Sequence, residues 1–143
     1  AYITNADIQT RLGNTTYVQL SDDNGDGAAD AAVVDEARIA AESEVDSYLA
    51  VRHAVPVDVT VHPELAGLLK SAALDLAEYR LRLRRPPLSD DARRRRDQTV
   101  DWLLHIADGT VALPSLAAPA GKGTMAKVSG ADRALSRAEL ESY

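Results

Sequence analysis

From Ala31 to Val51 the apolar residues Val34, Ala37, Ala41, Val45, Tyr48 and Leu49 recur at intervals of three and four, the spacing that lines one face of an α-helix. This stripe predicts an amphipathic helix roughly 30 Å long, with Glu36, Arg38, Glu42, Glu44 and Asp46 mostly off it. A richer pattern follows. Leu65, Leu68, Leu69, Ala72, Ala73, Leu76, Tyr79 and Leu83 form one stripe, and Leu74 and Leu81 add a second. A helix apolar on two sides is central and buried on more than one face. Pro63 suits its first position and Glu64 its positive end. Arg80, Arg82, Arg84 and Arg85 load its C-terminal end before Pro86-Pro87 closes it. Ser89 is a good N-cap for a last long helix, with Asp90 and Asp91 in the first turn, an apolar face of Val100, Leu103, Leu104 and Ala107, and Gly109 as the stop.

The N-terminus reads as a short extended lead into a helix, with Thr4 and Asp7 as a capping pair, Ile8 and Leu12 in i, i+4 contact, and Gly13 ending it. Tyr17 to Leu20 fits either another helical turn or an extended segment. Val55 to Val61 is β-branched, but Pro56 bars it from a central strand, leaving a connector or a short edge strand. The elements together predict an all-α fold, a small bundle of about four helices.

With 143 residues the chain has room for one ordinary domain. We assign residues 1–113 to it and read 114–143 as an extended C-terminal arm. There the periodicity dissolves into Ala, Pro, Gly, Ser and Lys, and only Arg133 to Leu140 keeps local helical character. No cysteine is present, which removes disulfides, thiolate zinc sites and cysteine nucleophiles. No apolar run is long enough to span a bilayer and no basic-then-apolar leader is visible, so a soluble, non-membrane protein is expected. The net charge of −6 is unevenly distributed: residues 1–50 carry ten acids against Arg11 and Arg38 alone. Such a balance argues against a protein that grips nucleic acid over its whole surface. It favours an acidic face meeting a basic one, within the fold or between copies.

Two clusters are candidate sites. In Ser21 to Asp30, counting Asp22 as first places Asn24 third, Asp26 fifth, Gly27 sixth and Asp30 ninth, the ligand spacing of a calcium loop. Position twelve, where a bidentate Glu belongs, is Val33. Asp22, Asn24, Asp26 and Asp30 are therefore candidate ligands for a structural Ca2+. The same residue types also build turns and cap helices without a metal. The second cluster is Arg93-Arg94-Arg95-Arg96, which covers every side of one helical turn. Part of it can pair with Asp90, Asp91 or Asp97, and inter-subunit salt bridges to the acidic region at 22–46 are favoured over DNA contact. His53, His62 and His105 are scattered, and no nucleophile, phosphate loop or dinucleotide motif occurs, so no enzymatic activity is expected.

With these elements placed, the chain resembles the Mu-type phage and prophage head-tail adaptor family. The resemblance rests on Ala1 to Thr4 with Asp7-Ile8, on LSDDNGDGAADAAVVDEA from Leu20 to Ala37, and on Asp46 to Arg52 leading to Val55-Pro56-Val57. It continues through Ala73 to Leu81, Trp102-Leu103 to Gly109, and Leu113-Pro114. It implies a virion protein of the neck, made in the host cytoplasm. Such a subunit would form a homo-oligomeric ring of about twelve copies under the portal protein, extending the DNA channel and docking the stopper or tail protein. Contact with packaged DNA would be transient and non-specific. Arg93 to Arg96, with Arg133, Leu135 and Arg137 of the arm, are the expected inter-subunit or portal contacts. The chain departs from the family pattern at Asn24, where Asp is usual, and at Leu135, where an aromatic is frequent. The alternative function is a small calcium-binding regulatory module that uses the acidic loop.

Overall fold

Local capping chemistry sets the helix boundaries. Thr4 opens α1 (Asn5–Leu12) with a reciprocal capping box, its side chain accepting from the Asp7 amide while the Asp7 carboxylate accepts from the Thr4 amide. Gly13, with φ 79°, ends α1 and also precedes α2 (Asn14–Ser21). The segment from Tyr17 to Leu20 is thus helical. The N-terminal helical region is split at a residue whose backbone conformation suits glycine. α3 spans Ala31–Leu49, α4 spans Pro63–Leu83 with Pro63 in its first turn, and α5 spans Asp90–Asp108. At the start of α5 the Ser89 side chain accepts from the Ala92 amide.

The structure, a computed structural model, describes residues 1–114 and 116. The protein is a small all-helical bundle, with five helices and no strand among the described residues. The β-branched connector from Val55 to Val61 is turns and bends, with a cis peptide bond between Val55 and Pro56. The rest of the expected arm, including Arg133, Leu135 and Arg137, lies outside the described residues.

α4 is the central element, packing against α3, α5 and α1. Leu65, Leu69, Leu76 and Leu81 on it are fully buried, as are Val34, Val45 and Leu49 on α3. Two members of its expected stripe are exposed, Leu68 at 44% and Leu83 at 51%, and Tyr79 is half-buried. On α5 the buried residues are Ala92, Thr99, Leu103 and Ile106. Their spacing turns the helix so that Leu104, expected on the apolar face, is 49% exposed.

The N-terminal lead is tied to the side of α3. One Glu42 carboxylate oxygen accepts from the backbone amides of Tyr2 (2.7 Å) and Ile3 (2.9 Å). The Tyr2 hydroxyl donates to Asp46 and accepts from the Val57 amide at 2.9 Å. Burial, reinforced by the hydrogen bond to Asp46, pushes the Tyr2 phenol above its ordinary value, so the neutral, donating form is held. Glu42 and Asp46 are acids off the apolar stripe that bind the lead, and the second Glu42 oxygen lies 3.5 Å from Arg38.

At the other end of the bundle, Arg52 donates to the carbonyls of Ala107 (3.0 Å) and Asp108 (2.9 Å), which lack partners within α5. A cation there also suits the negative end of the helix dipole. Gly109 follows with φ 86°, and a Cβ on it would lie 2.5 Å from the Arg52 guanidinium carbon. Gly109→Ala therefore combines a left-handed backbone with displacement of the Arg52 cap, and we expect a loss of about 1–2 kcal/mol in chemical denaturation. Arg52→Ala/Gly109→Ala should lose less than the sum of its singles, because the two changes remove one contact.

Candidate interaction site

The acidic loop is held together by its own side chains. Asp22 accepts from the amides of Gly25 (2.7 Å) and Gly27 (3.0 Å). Asn24 accepts from Asp26 (3.0 Å), and Asp26 from Ala28 (2.9 Å). Asp30 closes the ring, accepting from the Asp23 amide at 2.7 Å and from the Asn24 side chain at 3.1 Å. These are the turn-forming bonds natural to Asp and Asn. Gly25 and Gly27, at φ 76° and 81°, allow the chain to reverse. All four candidate ligands are thus brought together, with each making its bonds inside the loop. Among the described residues no group of three or more His, Cys, Asp or Glu is arranged to hold a metal ion. A cation entering the loop would share its oxygens with these amides.

Asp23, which the calcium spacing skips, makes the loop's long-range contact. Arg84 Nη2 lies 2.7 and 2.6 Å from its two carboxylate oxygens, while Arg84 Nη1 donates to the Leu20 carbonyl at 2.7 Å. Arg85 adds bonds to the carbonyls of Gln19 (3.4 Å) and Asp22 (3.2 Å) and to Asp23 (3.3 Å). The basic end of α4 thus also caps the last carbonyls of α2. The hydrogen bond from Arg84 holds the Asp23 carboxyl below the ordinary value, helped by the positive charge of both arginines.

The four arginines of α5 divide into two pairs. Arg95 and Arg96 turn toward the bundle. Arg95 lies 3.0 Å from Glu78, and Arg96 lies 3.8 Å from Glu44 with its guanidinium 5.3 Å from the centre of the Tyr79 ring. Arg93 and Arg94 are exposed. Arg94 reaches only Asp91, at 3.9 Å and with both side chains mostly in solvent, and Arg93 makes no ion pair among the described residues. Glu44 also binds Arg80 at 2.7 Å. Part of the acidic region at 22–46 therefore satisfies arginines of the same chain.

Where α1, α4 and α5 meet, the structure holds a polar network that periodicity alone does not assign. Glu78 is only 5% exposed. It is approached by Arg82 and Arg95 at 3.0 Å each and by Arg11 at 3.7 Å. One turn earlier, Asp75 pairs with Arg11 and accepts from the buried Thr99 hydroxyl at 2.7 Å. The available sequence signal was two acids embedded in the doubly apolar α4, with Arg82 four residues after Glu78. Beside this network, a groove of about 210 Å³ opens between Leu68, Ser71 and Ala72 of α4 and Gln98, Thr99 and Trp102 of α5.

Removing one member of a buried ion pair costs about 3–5 kcal/mol, but the arginines here are partly exposed and can turn to water, so we expect Glu78→Gln to lose about 2 kcal/mol in urea denaturation. Arg95→Ala should lose less, because Arg82 stays on Glu78. Asp23→Asn tests the loop clamp through pH. A depressed folded-state value gives stability that is present above the ordinary value of 3.8 and is lost as pH falls through the folded-state value. The variant should be less stable than wild type near neutral pH, and the difference should vanish in acid.

No curated protein matches this chain. The family described as Bacteriophage Mu, Gp36 matches residues 2–129, which takes in the N-terminal lead and all five helices. The chain therefore belongs to the Bacteriophage Mu Gp36 family.

Proposed function

We propose that the protein is a structural head-tail connector subunit of a tailed phage, without catalytic activity. It assembles as a ring under the portal, lengthens the DNA channel and presents a platform for the stopper or tail. Membership of a phage protein family over residues 2–129 carries this reading. The surface left over after the internal ion pairs supports it. On α5, Arg93 and Arg94 remain exposed. Glu36 is an exposed acid on α3, and beside it a cleft between α3 and α4 is lined by Val33, Ala37 and Leu83 together with Asp23, Arg80 and Arg84. Ile39 on α3 is 55% exposed. A ring is built from head-to-tail contacts between two different patches of one subunit, and the exposed Arg93 and Arg94 on α5 with the exposed Glu36 and Ile39 on α3 offer two such patches.

The internal ion pairs narrow the contact set. Arg93 and Arg94 are the arginines of the turn available to a neighbour, while Arg95 and Arg96 hold the fold. Mixing the protein with its portal and imaging by negative stain should add ring density at the portal's narrow end, and absence of added density would count heavily against the connector role. Arg93→Glu/Arg94→Glu should remain folded by circular dichroism yet lose that density. Arg95→Glu should instead lower the melting temperature.

A further inference from the structure

The outer face of α5 carries a charge pattern that another part of the same sequence complements. Arg93, Asp97 and Asp101 are four residues apart and all exposed, so they form one row along the helix. Among the described residues, Asp97 pairs with its neighbour Arg96 (3.6 Å) and Asp101 with His105 (3.6 Å). In the C-terminal region, Arg133, Arg137 and Glu141 repeat the same spacing. Laid antiparallel, with Arg133 opposite Asp101, Arg137 falls opposite Asp97 and Glu141 opposite Arg93. Every pair is of opposite sign. In this register Leu135 is level with Gln98 and Thr99, the middle of the groove that Leu68 and Trp102 flank.

The angular arrangement agrees. Going round α5, Arg94 lies between the charged row and Gln98, which forms the near edge of the groove. In a helical segment followed in the same sense, the row of Arg133, Arg137 and Glu141 is separated from Leu135 by Ala134 and Ala138. Antiparallel helices bring corresponding sides together. Charged row then meets charged row, the two alanines allow close approach, and Leu135 comes over the groove. A volume of about 210 Å³ accommodates one leucine side chain, and Leu68, 44% exposed, together with the half-buried Trp102, gives it apolar contact. Exposed ion pairs are individually weak, so the charges set direction and register while the leucine supplies adhesion.

We propose that the α5 face and the α4–α5 groove are the docking surface for residues 131–141 of this protein, bound as a helix antiparallel to α5. The proposal depends neither on a ring nor on a portal; where a ring forms, this segment of one subunit lying on α5 of the next is the neighbour contact that engages Arg93.

Trp102 is the only tryptophan, so its quenching by acrylamide in the full-length protein reports directly on cover over the groove. Arg133→Glu/Arg137→Glu and, separately, Leu135→Ala should each raise the quenching constant about twofold as the docked segment is lost. Asp97→Arg/Asp101→Arg should do the same. Combining it with Arg133→Glu/Arg137→Glu should restore the wild-type value. Circular dichroism on each variant confirms that the bundle is intact. Unchanged quenching in both the arginine and the leucine variants overturns the proposal, as does a charge swap that fails to restore cover. Quenching that varies with protein concentration but ignores these charges would assign the face to the folded surface of another copy, and would overturn it equally.

Discussion

A single buried carboxylate, that of Glu78, ties together three helices of the bundle. Leucine and valine contacts between helices tolerate exchange for side chains of similar volume, because the packing adjusts at modest cost. A carboxylate buried to 5% is not permissive. It must meet positive charge or leave an uncompensated ion in the interior. Arg11 on α1, Arg82 on α4 and Arg95 on α5 all converge on it, and Asp75 with Thr99 adds a second link one turn away. The position of α5 on α4 is therefore set by chemistry with little tolerance. The groove between the two helices follows from that position.

The charged residues have an inward use that their number alone conceals. The acidic N-terminal third suggests a surface for partners. In the fold, Glu42 and Asp46 hold the N-terminal lead, Glu44 holds Arg80 and Arg96, and Asp23 holds Arg84 and Arg85. Arginine suits these places because its planar fork satisfies two acceptors at once, as Arg84 does with Asp23 and Leu20 and Arg52 does with two carbonyls. What remains for recognition is smaller and more specific than net charge implies.

Helix positions were legible in the sequence because capping residues act locally. Thr4, Pro63, Ser89, Gly13 and Gly109 each act within a turn or so of their own position. The number of helices was less legible, since Gly13 can end one helix or separate two. The orientation of α5 was misjudged at Leu104 because a helix of low overall hydrophobicity is turned by its partners, here through Thr99 and the network at Glu78. Of the candidate site residues, Asp22, Asn24, Asp26 and Asp30 lie in one loop and are linked through its own amides. The spacing does not distinguish oxygens facing an ion from oxygens facing backbone amides, and here they face amides. The division of the arginine turn into inward and outward pairs needed Glu44 and Glu78, which are distant in sequence.

The cap that Arg52 places on α5 also fixes where the chain departs. Gly109 turns the backbone at φ 86°, Val111 donates back to His105, and Leu113 is buried. Leu116 comes beside His53 and Val57, in the connector between α3 and α4. The chain beyond Leu116 starts from this one anchored point. At about 3.3–3.6 Å per residue, the fifteen steps from Leu116 to Ala131 reach at most about 50 Å. That radius exceeds the length of α5 itself, so the tether length leaves the whole outer face of that helix within reach.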